Sequence, residues 1–153
     1  MSCDLKLIEK VLKFSCKRCS RCCCGEPGYV YLSSKDLTKL CTWFNLTLDS
    51  FVDKYCRIVP YKNNTLVLSL EETDDFECIL WKKGVGCTAY EARPIQCSTY
   101  PFWTRILKNE KTFLEEKKEC PGIGEGNILN LEAVKSQLEL YESNKPVVIN
   151  SLI

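Results

Sequence analysis

The chain has 153 residues, of which 45% are hydrophobic and 27% are charged, and its formal net charge is +1. This length and composition are typical of one globular domain with a conventional core, over residues 1–153. The near-zero net charge offers no general attraction to nucleic acid or to an anionic membrane, and no segment approaches the length of a transmembrane span. We therefore expect neither nucleic acid nor a membrane as a partner.

The first predicted element is an amphipathic helix. Apolar residues recur at helical spacing between Asp4 and Phe14, with Leu5, Ile8 and Leu12 on one stripe. This segment alternates charged with apolar residues and lacks the uninterrupted apolar core of a secretory signal. The sequence therefore predicts a protein of the reducing cytoplasm, where lasting disulfides are rare.

A strand and two capped helices are predicted next. Residues 29–32 have the composition of a strand. Ser33 and Asp36 resemble a capping box for a helix over about residues 34–44. Thr47 predicts the cap of a further short helix.

Four further elements are predicted in the second half: a strand at 65–70, a hairpin of 103–107 with 111–115, a loop at 121–126 and a helix over about 130–142. Asn63 and Asn64 mark the turn before the strand, and Asn130 is predicted to cap the helix. Together these elements predict an α+β fold. We expect a small single domain in which helices flank a short antiparallel sheet and cysteine-rich loops bind metal.

The chain contains 12 cysteines and no histidine, and five of the cysteines lie between Cys16 and Cys24. Thiols at this density serve metal ligation, disulfide bonding or thiol redox exchange. Because histidine is absent, a zinc or iron site must be built from cysteine, with at most some help from carboxylates.

The cysteines fall into different classes. Cys41 lies on the apolar stripe of its predicted helix and Cys56 is predicted on the next helix, so both should pack as small hydrophobic side chains. Cys3 is terminal, and Cys24 is ambiguous because three consecutive cysteines cannot all point inward. The eight that remain are the predicted metal ligands: Cys16, Cys19, Cys22, Cys23, Cys78, Cys87, Cys97 and Cys120.

The spacing of these eight cysteines leaves the metal open. Two overlapping C-x2-C motifs, with Cys120-Pro121 as a remote partner, imitate the way in which ferredoxins hold a [4Fe–4S] cluster. The same thiolates could equally form tetrahedral four-cysteine zinc sites. Eight ligands divide into two such sites, and one site with four cysteines in reserve is also compatible with the spacing.

Two explanations without metal are disfavoured. A set of disulfides requires an oxidising compartment. Thiol–disulfide catalysis by Cys16 and Cys19 requires the C-x2-C motif at the start of a helix in a βαβ unit, whereas here a helix is predicted to precede the motif.

Two stretches of the chain carry a family resemblance. The first contains Phe14, Cys16-x2-Cys19-x2-Cys22-Cys23, Gly28 and Asp36-Leu37. The second contains Cys78, Gly86-Cys87, Arg93-Pro94-x2-Cys97, Tyr100-Pro101-Phe102 and Cys120-Pro121-Gly122. Over about residues 14–126 these motifs resemble the CxxCxxCC cysteine-cluster proteins, which are also called the YkgJ-like family.

The resemblance implies a protein that binds zinc or iron, and some members of the family are described as iron–sulfur proteins or oxidoreductases. Carried over position by position, the motif gives the same eight cysteines. A similar cysteine cluster occurs in flagellin lysine methylases. Two positions depart from the pattern: Ser20 stands where members often have glycine, and Ser98 stands where they often have arginine, a charge partner for the site.

Two further features are predicted to support the site. Arg93 is expected to donate to thiolates or to nearby carbonyls, in preference to pairing with Glu91 on the surface. The aromatic run at residues 100–103 is expected to wall the metal site with apolar surface.

The leading hypothesis is a metal-binding protein that holds an iron–sulfur cluster, or iron or zinc ions, in one or two sites, with a redox role and an unidentified redox or protein partner. The alternative is a structural zinc-binding interaction domain without catalysis. Activity as an Fe–S oxidoreductase is left open, because the sequence shows no catalytic residues. A methyltransferase-like activity depends on the methylase resemblance alone, and the glycines at residues 122–126 fit a cofactor loop poorly.

Overall fold

The computed structural model describes residues 5–10 and 13–149. In chain order its elements are α1 (Leu5–Lys10), β1 (Lys13–Phe14), α2 (Ser34–Phe44), α3 (Leu48–Tyr55), β2 (Cys56–Pro60), β3 (Leu66–Leu70), β4 (Trp81–Lys82), β5 (Gly86–Cys87), α4 (Ile95–Thr99), α5 (Glu110–Glu119), β6 (Ile123–Ile128), α6 (Leu131–Ser143) and β7 (Val148–Ile149). The helices accompany short antiparallel sheets, which confirms the predicted α+β class. None of the described helices is long and apolar enough to cross a membrane.

The described residues form two compact units. Unit 1 lies within Met1–Arg21 and Thr99–Ser143, and unit 2 lies within Cys22–Ser98 and Asn144–Ile153. Each unit has a hydrophobic core of its own. The single domain over residues 1–153 stays a prediction.

Unit 1 contains α1, α5 and α6 together with a two-stranded sheet. Strands β1 and β6 pair antiparallel, with Phe14 opposite Ile123. The core of this unit consists of apolar side chains from its helices and from the turns after α4: Leu7, Phe102, Ile106, Leu107, Phe113, Ile123, Val134 and Leu138.

Unit 2 contains α2, α3 and a three-stranded antiparallel sheet in the order β2-β3-β7. A separate small hairpin pairs β4 with β5, and Trp81 lies directly opposite Cys87. Its core is built mainly from the facing sides of the helices and of β3: Leu32, Leu37, Leu40, Phe51, Leu68, Leu70, Leu80, Ala89 and Ala92.

Three helix starts were predictable because each depends on side chains within one helical turn. At the start of α2, the Ser33 hydroxyl accepts from the Asp36 N–H and the Asp36 carboxylate accepts from the Ser33 N–H, which confirms the capping box. Thr47 accepts from the backbone N–H of Ser50 at the start of α3. Asn130 accepts from a backbone N–H in the first turn of α6.

Asp36 also holds a second helix. Its side chain is fully buried. One carboxylate oxygen accepts from the N–H of Ile95, the first residue of α4, at 2.8 Å, and the other accepts from the side-chain amide of Asn144 at 3.2 Å. Because the first N–H groups of a helix have no partner within the helix, this carboxylate serves α2 and α4 together.

Two predictions for the second half were wrong. The predicted hairpin of residues 103–107 and 111–115 is replaced by turns followed by α5, which begins after a cap formed by Asn109 and Thr112. The predicted loop at residues 121–126 is mostly strand β6. This strand forms because β1, more than 100 residues earlier in the chain, supplies its hydrogen-bond partners.

The first half also differs from prediction in three places. The first helix is shorter than predicted, because α1 ends at Lys10 and residues 13–14 form β1. Asp4 and residues 11–12 lie outside the described residues, and so do the side chains of the predicted stripe. Residues 29–32 form no full strand, but their backbone bonds to β3 through Leu32 N–H and Val30 C=O. Cys56 begins β2 and is not helical.

We expect Asp36→Ala to lower the free energy of unfolding by about 3 kcal/mol, because it leaves several buried hydrogen-bond donors without an acceptor at the starts of two helices. Urea unfolding followed by circular dichroism measures the change. The control is Asp49→Ala, which removes an exposed carboxylate from the first turn of α3 and should have little effect. Equal losses in the two variants would contradict the role of Asp36.

Candidate metal centre

Unit 2 brings together five of the eight predicted ligands: Cys22, Cys23, Cys78, Cys87 and Cys97. Their sulfurs interact electrostatically with one another. The sulfurs of Cys22 and Cys23 are 3.8 Å apart. We call these five residues the unit 2 thiol group.

Cys78 and Cys87 are positioned by the β4–β5 hairpin. Cys78 lies just before β4 and accepts the N–H of Trp81 on its carbonyl oxygen at 2.8 Å, while Cys87 ends β5. The sulfur of Cys78 also accepts hydrogen bonds from the backbone N–H groups of Leu80 and Trp81, and the sulfur of Cys87 accepts one from Ala89. Hydrogen bonds of this kind favour the thiolate and are a recurring support of metal–sulfur centres.

The cysteine run at the start of unit 2 is tied to this hairpin. The backbone N–H of Cys78 donates to the carbonyl oxygen of Cys23 at 2.7 Å. Cys24 lies half-buried in the same turn. This hydrogen bond therefore brings a segment with three consecutive cysteines to the segment that carries Cys78.

Cys97 is held in place through its neighbours on α4. Ile95 is bound by the buried Asp36 carboxylate. The side chain of Gln96 accepts from the N–H of Tyr31 at 3.0 Å and donates to the carbonyl oxygen of Tyr29 at 2.9 Å. Both residues that precede Cys97 are thus held, Ile95 through its backbone and Gln96 through its side chain.

The pKa of four of these thiols, those of Cys23, Cys78, Cys87 and Cys97, is raised, which favours their protonated form. Burial raises the pKa of Cys78 to about 11 and raises the pKa of Cys97 well above its ordinary value. The pKa of Cys23 is raised chiefly by its hydrogen bond with Cys22, and burial adds to the effect. A metal that binds here must therefore displace protons from sulfur, and its charge replaces theirs.

Arg93 supplies positive charge to the unit 2 thiol group. Its guanidinium lowers the pKa of Cys87 and of Cys97, against the larger effect of burial. The side chain is held by a hydrogen bond from Nε to the Tyr90 carbonyl oxygen at 2.8 Å, and the guanidinium lies over the Tyr90 ring at 3.8 Å from its centroid. This placement agrees with the predicted supporting role of Arg93.

The three other predicted ligands belong to unit 1. Cys16 and Cys19 are exposed, whereas Cys120 is half-buried at the end of α5. The loop that carries Cys16 and Cys19 is held at both ends: the Ser15 N–H donates to the Gly122 carbonyl oxygen at 3.1 Å, and Arg21 forms an ion pair with Glu119.

Gly122 is required at the first of these two anchors. A Cβ atom at this position would lie 2.3 Å from the Ser15 carbonyl oxygen, so the two backbones could not approach. The loop thus lies against the segment that contains Cys120.

The predicted apolar wall at residues 100–103 is only partly correct. Phe102 belongs to the core of unit 1. Tyr100 has a polar role, since its hydroxyl donates to the Glu116 carboxylate at 2.6 Å and also forms a hydrogen bond with Cys120. Burial, followed by the bond to Glu116, raises the pKa of Tyr100. A predicted ligand therefore has a polar neighbour where apolar surface was expected.

The remaining cysteines differ from these eight. Cys41 and Cys56 pack against the core of unit 2, as predicted for small hydrophobic side chains. Cys3 lies outside the described residues. No disulfide involves any of the eleven described cysteines.

The donor set fits a metal that prefers sulfur ligands, although the side chains are not arranged in the geometry of a metal site. Within residues 5–10 and 13–149, no group of three or more cysteine or carboxylate side chains is already arranged to hold a metal ion. The unit 2 thiol group nevertheless supplies the all-sulfur donors, the partial burial and the backbone N–H donors that four-cysteine zinc and iron–sulfur sites use.

Sequence reasoning missed several residues that build the site. Gln96 and the second role of Asp36 depend on partners far away in the chain, so no local pattern indicates them. Trp81 was also missed. The run Gly84-Val-Gly86 is a turn signal, and it could have predicted the hairpin in which Trp81 pairs with Cys87.

Ser20 shows why glycine is favoured at its position. Its backbone has φ of +68°, in the left-handed region that favours glycine.

We expect Ser20→Gly to be about 1 kcal/mol more stable than Ser20→Ala, because both variants lose the hydroxyl and only alanine keeps the steric penalty. Thermal and urea unfolding measure the difference, and an alanine variant as stable as the glycine variant would contradict the explanation.

Comparison with known proteins agrees with this donor set. The sequence model of the CxxCxxCC family, described as a zinc- or iron-chelating domain, matches residues 15–121. No solved structure matches the chain. Since the match covers more than half of the chain, including all eight predicted ligands, this protein belongs to the CxxCxxCC family of zinc- or iron-chelating domains.

Proposed function

We propose that this protein holds an iron–sulfur cluster through cysteine thiolates and takes part in electron transfer. The observation that carries the proposal is the unit 2 thiol group, in which sulfurs from three separate segments of the chain interact within one partly buried region. Because these cysteines are gathered only in the folded chain, a metal or cluster that binds them would stabilise the folded state.

Four thiolates suffice for one cluster, and the unit 2 thiol group offers five. We assign Cys78, Cys87 and Cys97 as three of the ligands, because each is held by its own backbone contacts. The fourth is Cys22 or Cys23, whose sulfurs lie 3.8 Å apart. Cys16, Cys19 and Cys120 are proposed to ligate in unit 1, which allows a second site.

The protein's own residues would set the properties of such a centre. A bound iron–sulfur cluster supplies one-electron transfer. Arg93 offsets part of the negative charge of the thiolates, and the backbone N–H groups of Leu80, Trp81 and Ala89 bind their sulfurs. The adjoining core of unit 2, which contacts Cys78 and Cys87, limits the access of water.

The second candidate function is a structural zinc domain that docks a partner protein and has no catalytic role. It is favoured by the same all-thiolate donors, since four-cysteine zinc sites are closed and stabilise the fold. Visible colour separates the two candidates, because an iron–sulfur cluster absorbs visible light and zinc does not.

The proposed setting is the cytoplasm, where thiols stay reduced. A methyltransferase-like activity has no structural support, since Gly124 and Gly126 lie on strand β6 and not in a turn between a strand and a helix.

The decisive measurement is purification of the full chain without oxygen, followed by elemental analysis for iron, zinc and acid-labile sulfide and by a visible spectrum. We expect iron with matching sulfide and a brown colour. Stoichiometric zinc in a colourless protein would establish the second candidate instead. Absence of both metals from the oxygen-free sample would refute metal binding.

Cysteine variants in the same preparation test the ligand assignment. We expect Cys97→Ser and Cys19→Ser to lower metal content and thermal stability together, because the bound metal is part of the folded state. Cys41→Ser is the matched control and should keep its full metal content, because Cys41 packs against the core. Full occupancy in Cys97→Ser would show that the unit 2 thiol group is not the ligand set.

A further inference from the structure

Trp81 carries a buried hydrogen-bond donor that has no acceptor. Its indole nitrogen is out of reach of bulk solvent and has no hydrogen-bond partner among the described residues. A buried donor left unpaired costs about 1–3 kcal/mol, and in native proteins such a group often faces an unseen ligand, ion or water.

The two other tryptophans show that this is specific to Trp81. The indole N–H of Trp43 donates to the Thr88 carbonyl oxygen at 3.0 Å. The indole N–H of Trp103 donates to the Thr99 hydroxyl at 3.2 Å. The unpaired donor is therefore a property of the place that Trp81 occupies.

Trp81 lies beside the unit 2 thiol group. It is directly opposite Cys87 in the β4–β5 pair, and directly opposed residues of antiparallel strands have neighbouring side chains on one face. Its backbone N–H bonds to the sulfur of Cys78. Two of the five thiols thus adjoin the residue whose indole lacks an acceptor.

We propose that the indole N–H of Trp81 donates a hydrogen bond to an anionic sulfur of the metal-loaded centre; this inference rests on the proposed function. Neutral thiols are weak acceptors, and metal binding converts them into thiolates, which accept strongly. The acceptor is the Cys87 thiolate, or an inorganic sulfide if a cluster is present. Both are anionic sulfurs, and the experiment distinguishes them.

Trp81 then acts as a positioning residue for the centre. Its N–H is unpaired in the metal-free protein and paired in the loaded protein, so the bond contributes to metal affinity and not to the stability of the metal-free fold. A tryptophan that only fills space would contribute equally to both states. This difference separates the proposal from a packing role.

The test uses the full chain, prepared without oxygen and labelled with nitrogen-15. Proton–nitrogen NMR shows one indole signal for each tryptophan, and Trp43→Phe, Trp81→Phe and Trp103→Phe assign the signals. Zinc is added to the metal-free protein while metal content is measured on the same sample. We expect the Trp81 indole proton to move downfield and to exchange more slowly with solvent, while the signals of Trp43 and Trp103 change little.

Affinity and potential provide the second measurement. We expect Trp81→Phe to weaken zinc binding about tenfold, in line with losses of other partners of metal ligands. In protein reconstituted with iron and sulfide, it should also lower the midpoint potential, because hydrogen bonds to sulfur favour the reduced cluster. Trp43→Phe is the matched control in unit 2. It loses a hydrogen bond to Thr88 that is present without metal, so it should lower the unfolding temperature of the metal-free form and leave the zinc affinity unchanged.

Each outcome decides the proposal. A response to zinc assigns a thiolate as the acceptor, and a response only with iron and sulfide assigns the inorganic sulfide. If both the zinc and the iron–sulfide preparations are fully loaded and neither the Trp81 signal nor the properties of Trp81→Phe change, the inference is wrong while the proposed function stands. If no metal binds in either preparation, both are wrong.

Discussion

Burying several cysteine sulfurs close to one another costs free energy as soon as they ionise, because each negative charge loses solvent and is repelled by its neighbours. In unit 2 this cost appears as raised pKa values of Cys23, Cys78 and Cys97. Thiols held in this way stay neutral until a cation replaces their protons. In such an arrangement, metal binding releases protons from the thiols and adds to the stability of the folded state.

The longer elements of unit 2 hold the short segments that carry those sulfurs. Each thiol lies on a short element that could not stay ordered alone: a hairpin of two-residue strands, a five-residue helix and a turn of consecutive cysteines. Longer elements fix these pieces from outside. The buried Asp36 carboxylate joins α2 to α4, and Gln96 ties α4 to the segment beside β3. Rigid support of this kind lets a ligand keep its position without any help from its own local structure.

Unit 1 supports its cysteines differently. Cys16 and Cys19 are exposed on a loop anchored at both ends, and the close backbone approach at Gly122 sets its place. Cys120 has a hydroxyl neighbour in Tyr100, which is itself bound to Glu116. Four of the five thiols in the unit 2 thiol group are half-buried and Cys22 is exposed, whereas two of the three predicted ligands in unit 1 are exposed.

The sequence by itself determined the features that depend on neighbouring residues or on chemical type. The caps at Ser33, Thr47 and Asn130 were predictable because each acts within one turn of its own helix. The all-sulfur donor set followed from twelve cysteines without a histidine, which already restricts the metals. Only the tertiary structure decided that β6 is a strand, that Cys56 leaves its helix, and which thiols meet. Strand pairing, the second role of Asp36 and the unpaired indole of Trp81 all depend on partners brought together by folding, and local sequence patterns carry no record of such partners.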